Sequence, residues 1–232
     1  MDEAGFQQYM RDQKKSERTA TRYTTCLRTV AAYLWKHKQG KRIDAITPKD
    51  VKDFESWGEK KLKTFNQYIW ALKVYAEYTK NHRLEMATNE LLGSRYAAQY
   101  KLKNFMGVAP EDADKLKSIG IKTVEQMLKA GRTVNERKNL AGKTGVTLDT
   151  IVEIVKLSDL ARIPGLRKVR ARQYFEAGLD TVEKIAQWDS GELIQMLTDF
   201  IKRTGFNGTA PLNKEAATSV ATAKYIAKVV EY

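Results

Sequence analysis

The stretch IPGLRKVRARQYFEAG, residues 163–178, sets a Pro-Gly break directly before four cations in six positions: Arg167, Lys168, Arg170 and Arg172. Such a combination suits anion binding. A turn that opens a helix leaves its first N–H groups without intrahelical acceptors, at the positive end of the helix dipole. Ringed by guanidinium and ammonium groups, that helix start fits a phosphate. Gly165 and Leu166 form the turn itself. The chain offers little for other chemistry. Cys26 is the only cysteine and His37 and His82 the only histidines, so neither an internal disulfide nor a zinc cluster is expected. No Gly-rich phosphate loop, HExxH pair or acidic metal cluster occurs, and no cofactor is expected.

The charge balance points the same way. The formal net charge is +13, from 41 Lys+Arg against 28 Asp+Glu. Residues 1–82 hold 17 basic and 10 acidic side chains, and the remaining 24 and 18 follow, so the excess is shared by both parts of the chain. A basic excess spread this way fits a polyanionic partner better than a basic tail does. The polar start MDEAGFQQYMRDQKK lacks the apolar core of a secretion signal, and no run of 18 apolar residues occurs. The expectation is an intracellular, nucleoid-associated protein without a membrane partner.

The elements that must position these charges read as helices throughout, so the fold class is all-α. Over 18–36, Tyr23, Leu27, Val30, Ala31 and Leu34 share one helical face, while Arg18, Arg22, Thr25 and Thr29 form an opposite stripe. Thr47-Pro48-Lys49-Asp50 is a helix start, with threonine as cap and proline in the first turn. A helix over about 64–79 carries Phe65, Tyr68, Ile69, Leu72, Tyr75 and Ala76 as its core stripe. Asn66, Trp70 and Lys73 lie on its other side, after Lys61 and Lys63.

Three pieces in this order, SERTATRYTTCLRTVAAYL, IDAITPKDVKDF and KTFNQYIWALKVYAEYTK, resemble the N-terminal core-binding (SAM-like) domain of tyrosine recombinases, the phage integrases. The resemblance covers residues 1–82 and implies a four-helix clamp whose second and fourth helices face the DNA major groove. The implied contacts are Lys15, Arg18, Arg22 and Thr25, then Lys63, Thr64, Asn66, Trp70 and Lys73. Recombinase chemistry needs cations around the scissile phosphate, a His-x-x-Arg pair and a nucleophilic tyrosine. His37 opens HKQG and His82 opens HRLE, so the catalytic half is absent and no strand transfer is expected.

After a linker or helical stretch, 83–104, an internal repeat begins. FMGVAPEDADKLKSIGIKTVEQML (105–128) aligns without gaps on IPGLRKVRARQYFEAGLDTVEKIA (163–186). Gly107 matches Gly165, Ala113 matches Ala171, Gly120 matches Gly178, and Thr-Val-Glu recurs at 123–125 and 181–183. KTGVT at 143–147 is echoed by RTGFN at 203–207. Residues 105–232 therefore read as two copies, about 105–162 and 163–232. Each copy resembles the helix-hairpin-helix motif, and the tandem is similar to an uncharacterised family of such domains. That resemblance implies backbone N–H contacts to phosphates, which carry little base information. Both copies depart from the motif at its second glycine, which is Ala109 in one and Arg167 in the other. Copy two, with Gly165, Leu166, Arg167, Lys168, Arg170 and Arg172, is the expected DNA contact. Copy one, with Pro110, Glu111 and Asp112 at its helix start, suits an architectural role or a protein partner at Gly107 to Asp112.

The function expected from the sequence is non-enzymatic binding of double-stranded DNA by two tethered helical modules, in recombination, replication or DNA architecture. A protein-interaction adaptor is the alternative. A further alternative is an abasic-site lyase using Lys168, a lysine surrounded by cations, as its nucleophile.

Overall fold

A computed structural model describes residues 1–232. It contains thirteen α-helices and no strand. The chain divides into two compact units, Met1–Leu92 and Gly93–Tyr232.

The first unit holds α1 (Glu3–Asp12), α2 (Glu17–His37), α3 (Pro48–Lys61), α4 (Asn66–Tyr78) and the first part of α5 (His82–Gln99). Caps fix where these helices start. Ser16 accepts from the Thr19 N–H, and Thr47 and Asp50 form a reciprocal capping box with Pro48 in the first turn. Burial pushes the Asp50 carboxyl up, but the Thr47 hydroxyl and N–H and the Lys41 ammonium hold it below the ordinary aspartate range. Leu27, Val30 and Leu34 of α2 pack on Phe54, Ile69, Leu72 and Phe6. Cys26 is buried there, and burial raises its thiol to about 11, which makes it an inert core residue.

Side-chain pairs give the helix directions. Glu3 meets Arg28 and Gln7 meets Thr24, so α1 and α2 are antiparallel. Tyr33 near the end of α2 meets Phe54 edge-on, and Phe54 makes a tilted ring contact with Phe65 at the start of α4. Tyr75 and Tyr78 near the end of α4 meet Phe6 of α1. Helix α4 therefore runs antiparallel to α2.

The second unit holds the rest of α5, then α6 (Pro110–Ser118), α7 (Val124–Ala130), α8 (Val134–Thr144) and α9 (Leu148–Leu160). Helices α10 (Lys168–Glu176), α11 (Val182–Ala186), α12 (Ser190–Thr204) and α13 (Asn213–Tyr225) repeat that order. The backbone repeats too. Ile121 N–H donates to Leu116 at 3.0 Å and Leu179 N–H to Tyr174 at 2.9 Å; Phe105 N–H donates to Leu102 at 3.1 Å and Ile163 N–H to Leu160 at 3.0 Å. Gly107 and Gly165 have φ of 83° and 89°, and Gly120 and Gly178 of 89° and 87°. Thr123 and Thr181 cap α7 and α11.

The copies are joined by side chains. Arg172 of α10 donates to the Met106 carbonyl at 2.8 Å and to Glu153 of α9 at 2.5 Å. The last residues also return to copy one. Glu231 N–H donates to the Arg132 carbonyl at 2.9 Å, Arg137 donates to the Glu231 carbonyl at 2.6 Å, and the Tyr232 hydroxyl donates to Asp159 at 3.2 Å.

Two turn glycines should respond differently to alanine. A Cβ on Gly107 would lie 2.6 Å from the Arg172 guanidinium, whereas one on Gly120 meets nothing within 4 Å. Both pay for a left-handed conformation, about 1 kcal/mol. Gly107→Ala additionally displaces Arg172, so its loss in urea denaturation should exceed that of Gly120→Ala by ~1 kcal/mol or more. Equal losses would show that the arginine moves aside freely.

Candidate nucleic-acid interface

Helix α2 and the turn before it present a row of exposed cations. Lys15 lies in the turn before it, and Arg18, Arg22 and Thr25 are exposed along it. The turn is made by Lys14, whose φ is 55°, and Lys14 is itself exposed. The carboxylate nearest in sequence, Glu17, is held by Arg11 through bonds of 3.0 and 3.2 Å, so it does not oppose the neighbouring cations. That pairing lowers the Glu17 carboxyl below its ordinary range and raises the Arg11 guanidinium. Arg22 lies 5.5 Å over the Tyr23 ring. The hydroxyls of Thr25 and Thr29 donate back to the carbonyls of Thr21 and Thr25, at 3.0 and 3.2 Å. The stripe continues through Ala32 to Lys36 at steps of three and four, with small residues at its middle and exposed cations towards both ends.

Residues expected on α4 lie elsewhere. Lys63, Thr64 and Asn66 are exposed, but antiparallel packing puts them beside the end of α2 that carries Tyr33. The fifteen steps from Arg18 to Tyr33 span about 22 Å of helix, so these two groups lie well apart along α2. Asn66 is the only fully exposed residue of α4. Trp70 packs against the core of the first unit, and Lys73 donates to Asn89 of α5. These two were expected to meet DNA; both are half-buried and take part in helix packing within the first unit. The exposed tryptophan is Trp35, 70% accessible, whose ring lies over Gly40. The spacing from Arg18 to Lys36 was the signal for this end of the stripe.

The cations of the copy-two hairpin are largely engaged by their own chain. Gly165 is exposed and makes the turn, while Leu166 is buried. Arg167 lies 5.3 Å over the Tyr96 ring with Nε and Nη2 buried, and burial lowers its pKa from the ordinary value. Arg170 donates to Gln173, the Thr209 carbonyl and Glu215. Arg172 is 7% exposed and committed to Met106, Glu153 and, at 3.8 Å, Glu176. Only Lys168 among these cations is exposed, at a φ of 45°. Sequence spacing shows a dense row of positive charge; the fold supplies carbonyls, an aromatic ring and carboxylates that turn most of it inward.

Copy one keeps its acidic start. Pro110 occupies the first turn of α6, Glu111 is exposed, and Asp112 pairs with Lys115 at 3.6 Å. These groups repel a phosphate. Lys168 is exposed at the start of α10.

An all-helical chain with an exposed cationic helix in one unit and a duplicated four-helix arrangement in the other is the class defined by these features. No helix is long and apolar enough to cross a membrane. The family described as "Domain of unknown function (DUF4332)" matches residues 106–226, just over half of the chain, and the chain belongs to that family. No curated protein and no solved structure matches it.

Proposed function

We propose that this chain is a non-enzymatic DNA-binding protein that holds the phosphate backbone chiefly through α2. The first unit is read as a core-binding clamp and the second as a tandem helix-hairpin-helix body. The observation that carries this reading is the exposed row Lys15, Arg18 and Arg22, whose nearest carboxylate is occupied by Arg11. Contacts of this kind fix register on a duplex and give affinity without base readout. The role that follows is accessory or architectural, in recombination or replication.

With about four phosphate contacts, log K should fall with log salt at a slope of about −3.6, a loss of roughly 150-fold between ~50 and 200 mM. Fluorescence anisotropy of a labelled duplex measures this. Absence of binding to duplex in dilute buffer would refute the proposal. The acidic start of α6 favours a second role, capture of a basic protein partner. Salt-insensitive protein binding without any shift of DNA would make that the main function.

A further inference from the structure

A small cationic pocket where the segment before copy one meets that copy was not among the expected contacts. Lys101, Lys103, Lys117 and Lys122 line a cavity of about 130 Å³ between the segment after α5 and helix α6. Asp114 is the only acidic lining residue and lies 4.0 Å from Lys117, so three lysines have no carboxylate within ion-pair distance. The backbone beneath them is fixed. Lys101 forms an antiparallel bridge with Thr123, Leu102 N–H donates to the Lys122 carbonyl at 3.0 Å, and Lys122 N–H donates to Gln126 at 2.8 Å.

The second copy shows that the scaffold does not need these lysines. The repeat places Asp159, Ala161, Phe175 and Asp180 at the positions of Lys101, Lys103, Lys117 and Lys122, and Arg172 at that of Asp114. In copy two these residues are absorbed internally: Asp180 by Lys156 and Lys184, Asp159 by Arg162 and Tyr232, Arg172 by Glu153. Copy one makes the same turn with the opposite charge at Lys101, Asp114 and Lys122, and its exposed lysines line a cavity. Four cations around one cavity, with a single carboxylate among them, favour an anion there.

We propose that this lysine pocket holds a backbone phosphate of nucleic acid, giving the second unit its own grip. The inference rests on the DNA-binding reading. Its test uses the full chain and the variant Lys103→Gln with Lys122→Gln, with Lys138→Gln and Lys143→Gln on α8 as the charge-matched control.

Pyrophosphate is titrated at constant ionic strength while backbone amide resonances are followed. Saturable shifts at Lys103 and Lys122, absent in the pocket variant and retained in the control, support the pocket. Shifts as large and unsaturable as those on α8 mean diffuse screening and overturn it. The second arm measures duplex affinity. The pocket variant should weaken binding on the order of tenfold at ~50 mM salt and reduce the salt slope by about one, with less loss in the control. Pyrophosphate binding with unchanged duplex affinity overturns the assignment to nucleic acid in favour of a free oligophosphate. If an α2 variant weakens duplex binding and the pocket variant does not, the pocket falls and the DNA-binding reading stands. If the wild-type chain ignores duplex in dilute buffer, that reading fails and carries the nucleic-acid assignment with it, whatever pyrophosphate does.

Discussion

Arg172→Ala is expected to destabilise the second unit by about 3 kcal/mol, at the lower end of what breaking a buried ion pair costs. The guanidinium is 7% exposed, while Glu153 and Glu176 are 30% and 46% exposed. Those carboxylates can regain water once the arginine is gone, which keeps the loss from the upper end of the range. The Met106 carbonyl loses its donor, and the space against Gly107 is left empty. Arg172→Lys retains a charge but not a planar fork able to serve a carbonyl and a carboxylate together, so it should recover less than half of the loss. Urea denaturation followed through Trp188, which packs in the core of copy two, reports the change. A loss below ~1 kcal/mol would show that the arginine is dispensable to the joint between the copies.

The second large effect concerns binding rather than stability. Arg18→Glu with Arg22→Glu should weaken duplex binding on the order of a hundredfold at ~50 mM salt and flatten the salt slope by about two or more. Both side chains are exposed, so the fold should tolerate the change, and circular dichroism would verify that. Glu17 is already spent on Arg11, so no local carboxylate masks the effect. Reversal of Arg170 instead should mainly disturb the link to Glu215 and the Thr209 carbonyl. Should Arg18 and Arg22 prove silent, α2 is not the interface.

The helical periodicity of α2 and the two glycine turns of each copy could be read from the sequence because each depends on local rules. Tyr23, Leu27, Val30 and Leu34 recur at helical steps, and only glycine adopts a φ near 85° cheaply. The fate of Arg170 and Arg172 could not be read, since it is set by Glu215 and Glu153, far away in sequence. The direction of α4 likewise follows from Phe54 meeting both Tyr33 and Phe65, a tertiary arrangement without a local signature. Trp70 and Trp35 show the same division: each lies on a mixed helical face, and only the neighbouring helices decide which is enclosed.

The returning residues Glu231 and Tyr232 alter how the duplicated body can come apart. Tandem arrays whose members meet only at adjoining faces can fray from one end. Here the final residues hold Arg132, Arg137 and Asp159, so neither member can peel away while its sibling stays intact. The duplication is thus tied as a closed loop rather than a stack, and a single cooperative transition on heating is the expected result in calorimetry.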